Sequence, residues 1–278
     1  MNWFILALLA GTASNFFNIF NRSSLKEKGD STVYAWWFEV IRFIVFRIIF
    51  LPQHILPQHV EDYFWLLLLG INEAVSVYFF MRSHQLTDLS LSTFIVKLQL
   101  IWTPLIAFVF IGERLSLLDY GAIGIILIGI FIAIYSKKMK SDKGIVITFI
   151  SSLFIALNAV FTKKVTGISS TPFIIMMMSL PSIFILPLLM KNSYKRIVTI
   201  SKKTFLQCLS GSISNIIAMF LAINAIRLGS TSKVSAVYQG MMVISLLYSV
   251  IVLKERRQLW QKVIGVVVIL LGLYVLSQ

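Results

Sequence analysis

The sequence predicts an all-α integral membrane protein of ten transmembrane helices, arranged as two inverted five-helix repeats. Three observations carry this. Apolar residues make up 58% of the 278 residues and charged ones only 13%, against roughly 45–50% and about 25% in soluble domains. Mean hydropathy is +0.88. Ten apolar runs reach spanning length, and the second half of the chain resembles the first at a fixed offset. A soluble globular protein is excluded, and so is disorder, which needs low hydrophobicity. Spans of about 20 residues use most of the chain and leave no room for a soluble catalytic domain.

The runs fall at residues 2–20, 32–51, 62–81, 89–111, 117–136, 144–162, 171–190, 204–226, 232–253 and 260–276. Each is long enough to cross the hydrocarbon as a helix, and none alternates as a barrel strand must. The first run lacks a basic start, continues to Phe20 and precedes nine others. It is expected to stay as a span and not to be cleaved as a leader. Threaded as ten spans, seventeen lysines and arginines fall on one side and five or six on the other; the remaining two, Arg42 and Lys97, stand inside spans. The rich side, with Lys137, Lys138, Lys191, Lys195 and Arg196 among its members, is expected to be cytoplasmic, which puts both termini outside. The net charge of +14 is read as this bias towards anionic lipid, not as a nucleic-acid surface.

The repeat has an offset of about 142 residues. Phe110-Ile-Gly-Glu113-Arg114 closes the fourth run, and Val252-Leu-Lys-Glu255-Arg256 closes the ninth. At the same offset Asn72-Glu73 meets Ser214-Asn215, and Lys97 meets Gln239; one residue on, Asn15 meets Asn158 and Gly129 meets Gly272. The chain therefore divides into residues 1–139 and 140–278, together one transport domain. An odd number of spans per unit turns the second copy upside down. Inverted repeats of this kind are a hallmark of secondary transporters, whose sites lie near the midplane between the halves.

Ten short spans in two halves, each with an acidic residue after its fourth helix, resemble the drug/metabolite transporter superfamily, in particular its EamA-type members. Asn158-Ala-Val-Phe-Thr-Lys-Lys164 is similar to the end of a family repeat's first helix, and Arg42-Phe43 to the arginine usual in the second. Ile111-Gly-Glu-Arg-Leu115, with Gly121, Gly124 and Gly129, resembles the junction of the fourth and fifth helices. The chain departs from the pattern at Lys254, where glycine is common, and in lacking the usual helix-nine proline. The loop after span two also lacks the lysine and arginine of many members. The resemblance implies an inner-membrane transporter that moves a small organic metabolite outward.

Charges inside a membrane are expensive even on the lenient insertion scale, at about 2.5–3.5 kcal/mol each. Glu39, Arg42, Glu73 and Lys97 stand well inside their runs and sum to zero. Glu39 and Arg42, three apart, share a helix face and are expected to form an ion pair or gate. Glu73 and Lys97 are expected to meet across neighbouring helices and to bind substrate, supported by Asn15, Asn158, Asn215, Gln239 and Trp102. A structural reading, in which the charges only fix helix register, stands beside this one. Glu113 and Glu255 are expected to fix helix junctions, an acid suiting the N-terminus of the helix that follows. Pro104, Pro181 and Pro187 are expected kinks.

Spans five and ten carry no charge between Tyr120 and Ser136 or between Val263 and Ser277, and are expected to face lipid or a second copy in a homodimer. No catalytic or phosphate-binding motif is present, and no metal or cofactor is expected. Cys208, the one cysteine, allows no internal disulfide. The expected partners are the lipid bilayer, a small-molecule substrate and protons, with no nucleic acid. A zwitterionic, amino-acid-like solute would suit one carboxylate and one ammonium. The alternatives are a carrier or flippase for a nucleotide-sugar or lipid-linked substrate, and a membrane scaffold that transports nothing.

Overall fold

The computed structural model describes residues 2–26, 30–86, 95–134, 144–251 and 259–278, and every regular element among them is helical. In chain order they are α1 (Trp3–Lys26), α2 (Ser31–Ile48), a 3-10 turn at Leu51–Gln53, α3 (Val60–Leu86), α4 (Gln99–Ile111), α5 (Leu117–Ile134), α6 (Gly144–Thr166) and α7 (Thr171–Leu188). The short α8 (Ser193–Val198), α9 (Lys202–Leu228), α10 (Thr231–Gly240), α11 (Val243–Ile251) and α12 (Leu259–Ser277) follow. Six helices among the described residues (α3, α5, α6, α7, α9 and α12) are long and apolar enough to cross a bilayer; α4 and the Trp3–Phe17 part of α1 are shorter apolar helices. The repeat boundary at 139/140 and the start of the fourth run lie outside the described residues.

Local chemistry fixes the helix ends. The Asp30 carboxylate accepts from the amides of Thr32 and Val33, opening α2, and Ser201 does the same for α9 through Thr204. Ser116 and Asp119 cap α5 reciprocally, each backbone amide donating to the other's side chain at 3.1 Å, a capping box with aspartate in the glutamate position. Gly112 ends α4 in the left-handed region at φ 65°, where a Cβ would be penalised.

Two expected spans are interrupted. The fourth run was expected to be one helix over 89–111, but a turn falls at Lys97–Leu98, with i→i+3 bonds from Leu98 to Ile95, Leu100 to Lys97 and Ile101 to Leu98. The ninth, expected over 232–253, breaks at Met241–Met242 between α10 and α11. There Met242 donates to Gln239 and Ile244 to Met241. Such 3-10 tightening inside a helix is a common mark of a hinge. The short α8 lies in a segment read as a loop, and its Arg196 binds Asp30 at 2.7 Å.

The helices pack as a web that maps onto itself when the halves are exchanged. α1 packs on α9 as α6 packs on α3; α1 meets α10 as α6 meets α4; α3 meets α7 as α9 meets α2. α2 with α7, α4 with α10 and α5 with α12 pair across the halves. Of the glycines expected at the fifth-helix junction only Gly129 helps to set the last of these, together with Gly265 and Gly272 of α12. A Cβ on Gly265 would stand 2.7 Å from the Gly129 carbonyl, and one on Gly272 3.0 Å from that of Ala122. Small residues here let two backbones touch, as membrane helix pairs require. The inner faces, with Ile126, Ile130, Ile269 and Leu273, join an apolar core, whereas Ile128, Leu270 and Leu271 are exposed.

Candidate functional site

Several of the buried polar residues of the sequence gather in two groups. Arg42 is 1% exposed and organises the first. Its Nη2 reaches Glu39 Oε2 at 2.6 Å and Glu73 Oε1 at 2.8 Å, while Nε donates to Ser179 Oγ at 2.7 Å. The second oxygen of Glu73 accepts from Asn158 Nδ2 at 2.5 Å, and the Asn158 carbonyl accepts from Asn72 Nδ2 at 2.7 Å. Asn72 also donates to the Phe154 carbonyl. The group thus ties α2, α3, α6 and α7 together with two carboxylates around one guanidinium.

Close backbone approach makes this geometry possible. Pro181 has no amide to give the Met177 carbonyl, and at this point Gly70 of α3 nestles against α7. A Cβ on Gly70 would lie 2.6 Å from both the Met177 oxygen and Pro181 Cγ. One turn further along α3, Glu73 reaches α2.

The second group centres on Lys97. Its ammonium donates to Gln239 Oε1, and both residues are buried, at 8% and 9% exposure. Lys97 and Gln239 are counterparts at the 142-residue offset (239 − 97 = 142). A contact between counterparts lies on any axis relating the two halves. Both sit beside the helix breaks at Lys97–Leu98 and Met241–Met242.

The expected partnership of Glu73 with Lys97 is not what forms. Glu73 is held by Arg42, three residues from Glu39 and therefore on the face that meets α3, whereas the turn at Lys97 aims its ammonium at α10. The expected Glu39–Arg42 pair does form. Asn158 joins the Glu73 group, but Asn15 turns its amide back onto the Gly11 carbonyl at 2.7 Å. Asn215 is buried with its Oδ1 unbonded, and the half-buried Trp102 sets its ring edge-on to Phe149 at 5.5 Å. Ser179 went unread in the sequence. Ser179 and Ser182 repeat on α7 the three-residue spacing of Glu39 and Arg42 on α2, which is the signal that reveals it.

Glu113 does not serve the helix that follows it. Its carboxylate accepts from the amides of Thr231 and Ser232 at 2.7 and 3.0 Å and from the Ser230 hydroxyl at 2.9 Å, so it caps α10 in the other half. Ser116 and Asp119 already cap α5, leaving Glu113 for a helix whose first amides are otherwise open. Glu255 lies outside the described residues. A cleft of about 740 Å³ opens at this end of the bundle, lined by Trp3, Glu113, Lys163, Lys164 and Lys233 among others. Its lysines are committed: Lys163 donates to the Ile226 and Gly229 carbonyls, Lys164 lies over the Trp65 ring at 5.4 Å, and Lys233 pairs with Asp119 at 2.7 Å. Among the described residues no three histidine, cysteine, aspartate or glutamate side chains form a metal-binding group.

A multi-pass bundle of apolar helices around buried ion pairs defines an integral membrane protein. The profile of the EamA-like transporter family matches residues 1–135 and again residues 142–278, so the chain belongs to that family, a transporter family of the drug/metabolite type. A solved structure titled only as the crystal structure of a protein shares the fold, with a TM-score of 0.76 at 13% identity, covering 98% of this chain and 95% of that one. A search of curated proteins finds no match to the chain.

Proposed function

We propose that the protein is a secondary transporter of the bacterial inner membrane that exports a small, amino-acid-like metabolite by alternating access. Under this reading α1, α2, α4 and the α10–α11 pair complete ten spans, and residues 1–139 and 140–278 are inverted repeats. The observation that carries it is the Lys97–Gln239 contact beside two matched helix breaks. Broken helices flanking a polar centre are how transporters of inverted-repeat construction build a midplane site. The two halves rock about that centre. A solute carboxylate takes the Lys97 ammonium from Gln239, and a solute ammonium takes Glu73 from Asn158. Asn15, Asn215 and Trp102 complete the walls. A scaffold has no use for four buried charges, each costing stability. With no nucleotide-binding motif in the sequence, a solute or ion gradient drives the cycle.

The test is metabolite profiling of medium and cytoplasm from cells with and without the protein. A single solute class carrying both amine and carboxylate should leave the expressing cells faster. Unchanged profiles contradict transport, and efflux of a nucleotide-sugar or lipid-linked species redirects it to the carrier or flippase alternative.

A further inference from the structure

Two carboxylates share one guanidinium in a closed interior, which leaves the group one negative charge in excess. Arg42 serves Glu39 through Oε2 alone, and Glu39 Oε1 is buried without a hydrogen-bond partner, in a side chain that is 0% exposed. An unbonded, ionised oxygen in such a place is costly, whereas a neutral carboxyl is far cheaper to bury. On the facing helix the Ser182 hydroxyl is likewise 0% exposed and unbonded.

The register of α2 against α7 places these two orphans at about the same level on facing helices, with no hydrogen bond between them. Trp36 Nε1 donates to the Ile183 carbonyl and Arg42 Nε to Ser179, so the helices run antiparallel and Glu39 falls between those contacts, at the level of Ser182. The exchange of halves says the same. The caps Asp30 and Ser170 open α2 and α7 at an offset of 140 (170 − 30), which makes Ser179 the counterpart of Glu39 and Ser182 that of Arg42. As Arg42 meets Ser179, the same exchange sets Ser182 on the side of α7 that faces Glu39.

We propose that Glu39 is the proton-carrying residue of the transport cycle, binding one proton on Oε1 against Ser182 and releasing it when the bundle opens to the other side. This rests on the transporter reading and names its coupling ion. A serine hydroxyl both donates and accepts. The two are not bonded in this structure; once Glu39 is protonated, its Oε1–H donates to Ser182 Oγ, and Arg42 and Glu73 are left as a neutral pair. The other elements packed on α2 add no competing charge at this level. α7 has no ionisable side chain, α3 brings Glu73, α9 brings Cys208 against the Tyr34 carbonyl, and α8 meets α2 at its start, where Arg196 holds Asp30.

Two measurements separate this from the reading beneath it. The first needs no solute: infrared spectra of the purified protein in lipid across an acid-to-alkaline series. A buried carboxylic-acid band should titrate away, be missing from Glu39→Gln, titrate away at lower pH in Glu73→Gln, where Arg42 is left to Glu39 alone, and shift in Ser182→Ala. A protein with no such band, or a band indifferent to Ser182, overturns the proposal. The second is flux of the profiled solute in vesicles under an imposed pH gradient. The wild type should respond to the gradient, and Glu39→Gln should exchange solute at equal concentrations without responding. Wild-type flux indifferent to the gradient overturns proton coupling and leaves transport standing; absence of any flux overturns transport itself.

Discussion

Arg42 holds polar groups of three helices at once: Glu39 of its own α2, Glu73 of α3 and Ser179 of α7. Arg42→Met strands Glu39 and Glu73 in a closed interior. Removing one partner of a buried ion pair costs about 3–5 kcal/mol, and thermal unfolding in lipid nanodiscs should register a loss of that order. Glu73→Gln should behave differently, since Arg42 keeps Glu39 and the amide oxygen still faces Asn158. That variant should melt close to the wild type. Glu113→Ala removes the acceptor for two α10 amides and two hydroxyls. Leaving such donors unbonded costs about 1–3 kcal/mol, detectable in the same assay.

At the scale of elements, the α5–α12 pair rests on backbone contact. Gly265→Val would drive a Cβ to 2.6 Å from that of Ala133 and 2.7 Å from the Gly129 oxygen, and overpacking of this kind costs about 1–3 kcal/mol. Gly121→Val and Gly124→Val should be nearly silent by comparison, as a Cβ there meets nothing within 4 Å. Equal melting of all three variants would contradict the crossing. Most elements were legible in the sequence because a membrane helix announces itself by an unbroken apolar run. The breaks at Lys97–Leu98 and Met241–Met242 were not, for Leu98, Met241 and Met242 are as apolar as their neighbours and i→i+3 bonding leaves no trace in hydropathy. α2 shows the opposite. Glu39, Arg42 and Arg47 dilute its apolar character, so α2 is recognised by its place in the repeat more than by its composition.

Across the whole molecule, contacts between connections join like ends of the bundle. Asp30 meets Arg196 at one end; Ile55 meets Ser170, and Glu113 meets Ser230, at the other. Threading is therefore consistent from loop to loop, and from the lysine and arginine bias we propose that the Arg196 end is cytoplasmic. A cysteine at Ser193, in a background without Cys208, should resist a membrane-impermeant thiol reagent added to intact cells; ready labelling would reverse the orientation. The site was half legible in the sequence. The buried charges, with Asn158 and Gln239 that bind two of them, stood out as polar residues in apolar runs. Which charge meets which did not, because pairing depends on Gly70 and Pro181 bringing α3 against α7 and on the turn that redirects Lys97.

The central claim is that the buried charges handle solute and do not merely hold helices in register. It is tested most directly by flux of the profiled solute in reconstituted vesicles, with Glu73→Gln and Lys97→Met measured beside their melting curves. Each variant loses a hydrogen bond to a charged group, worth about 1.5–3 kcal/mol, so flux should fall at least about tenfold while both proteins stay folded. Wild-type flux from both variants, each well folded, would contradict it and leave the charges as architecture.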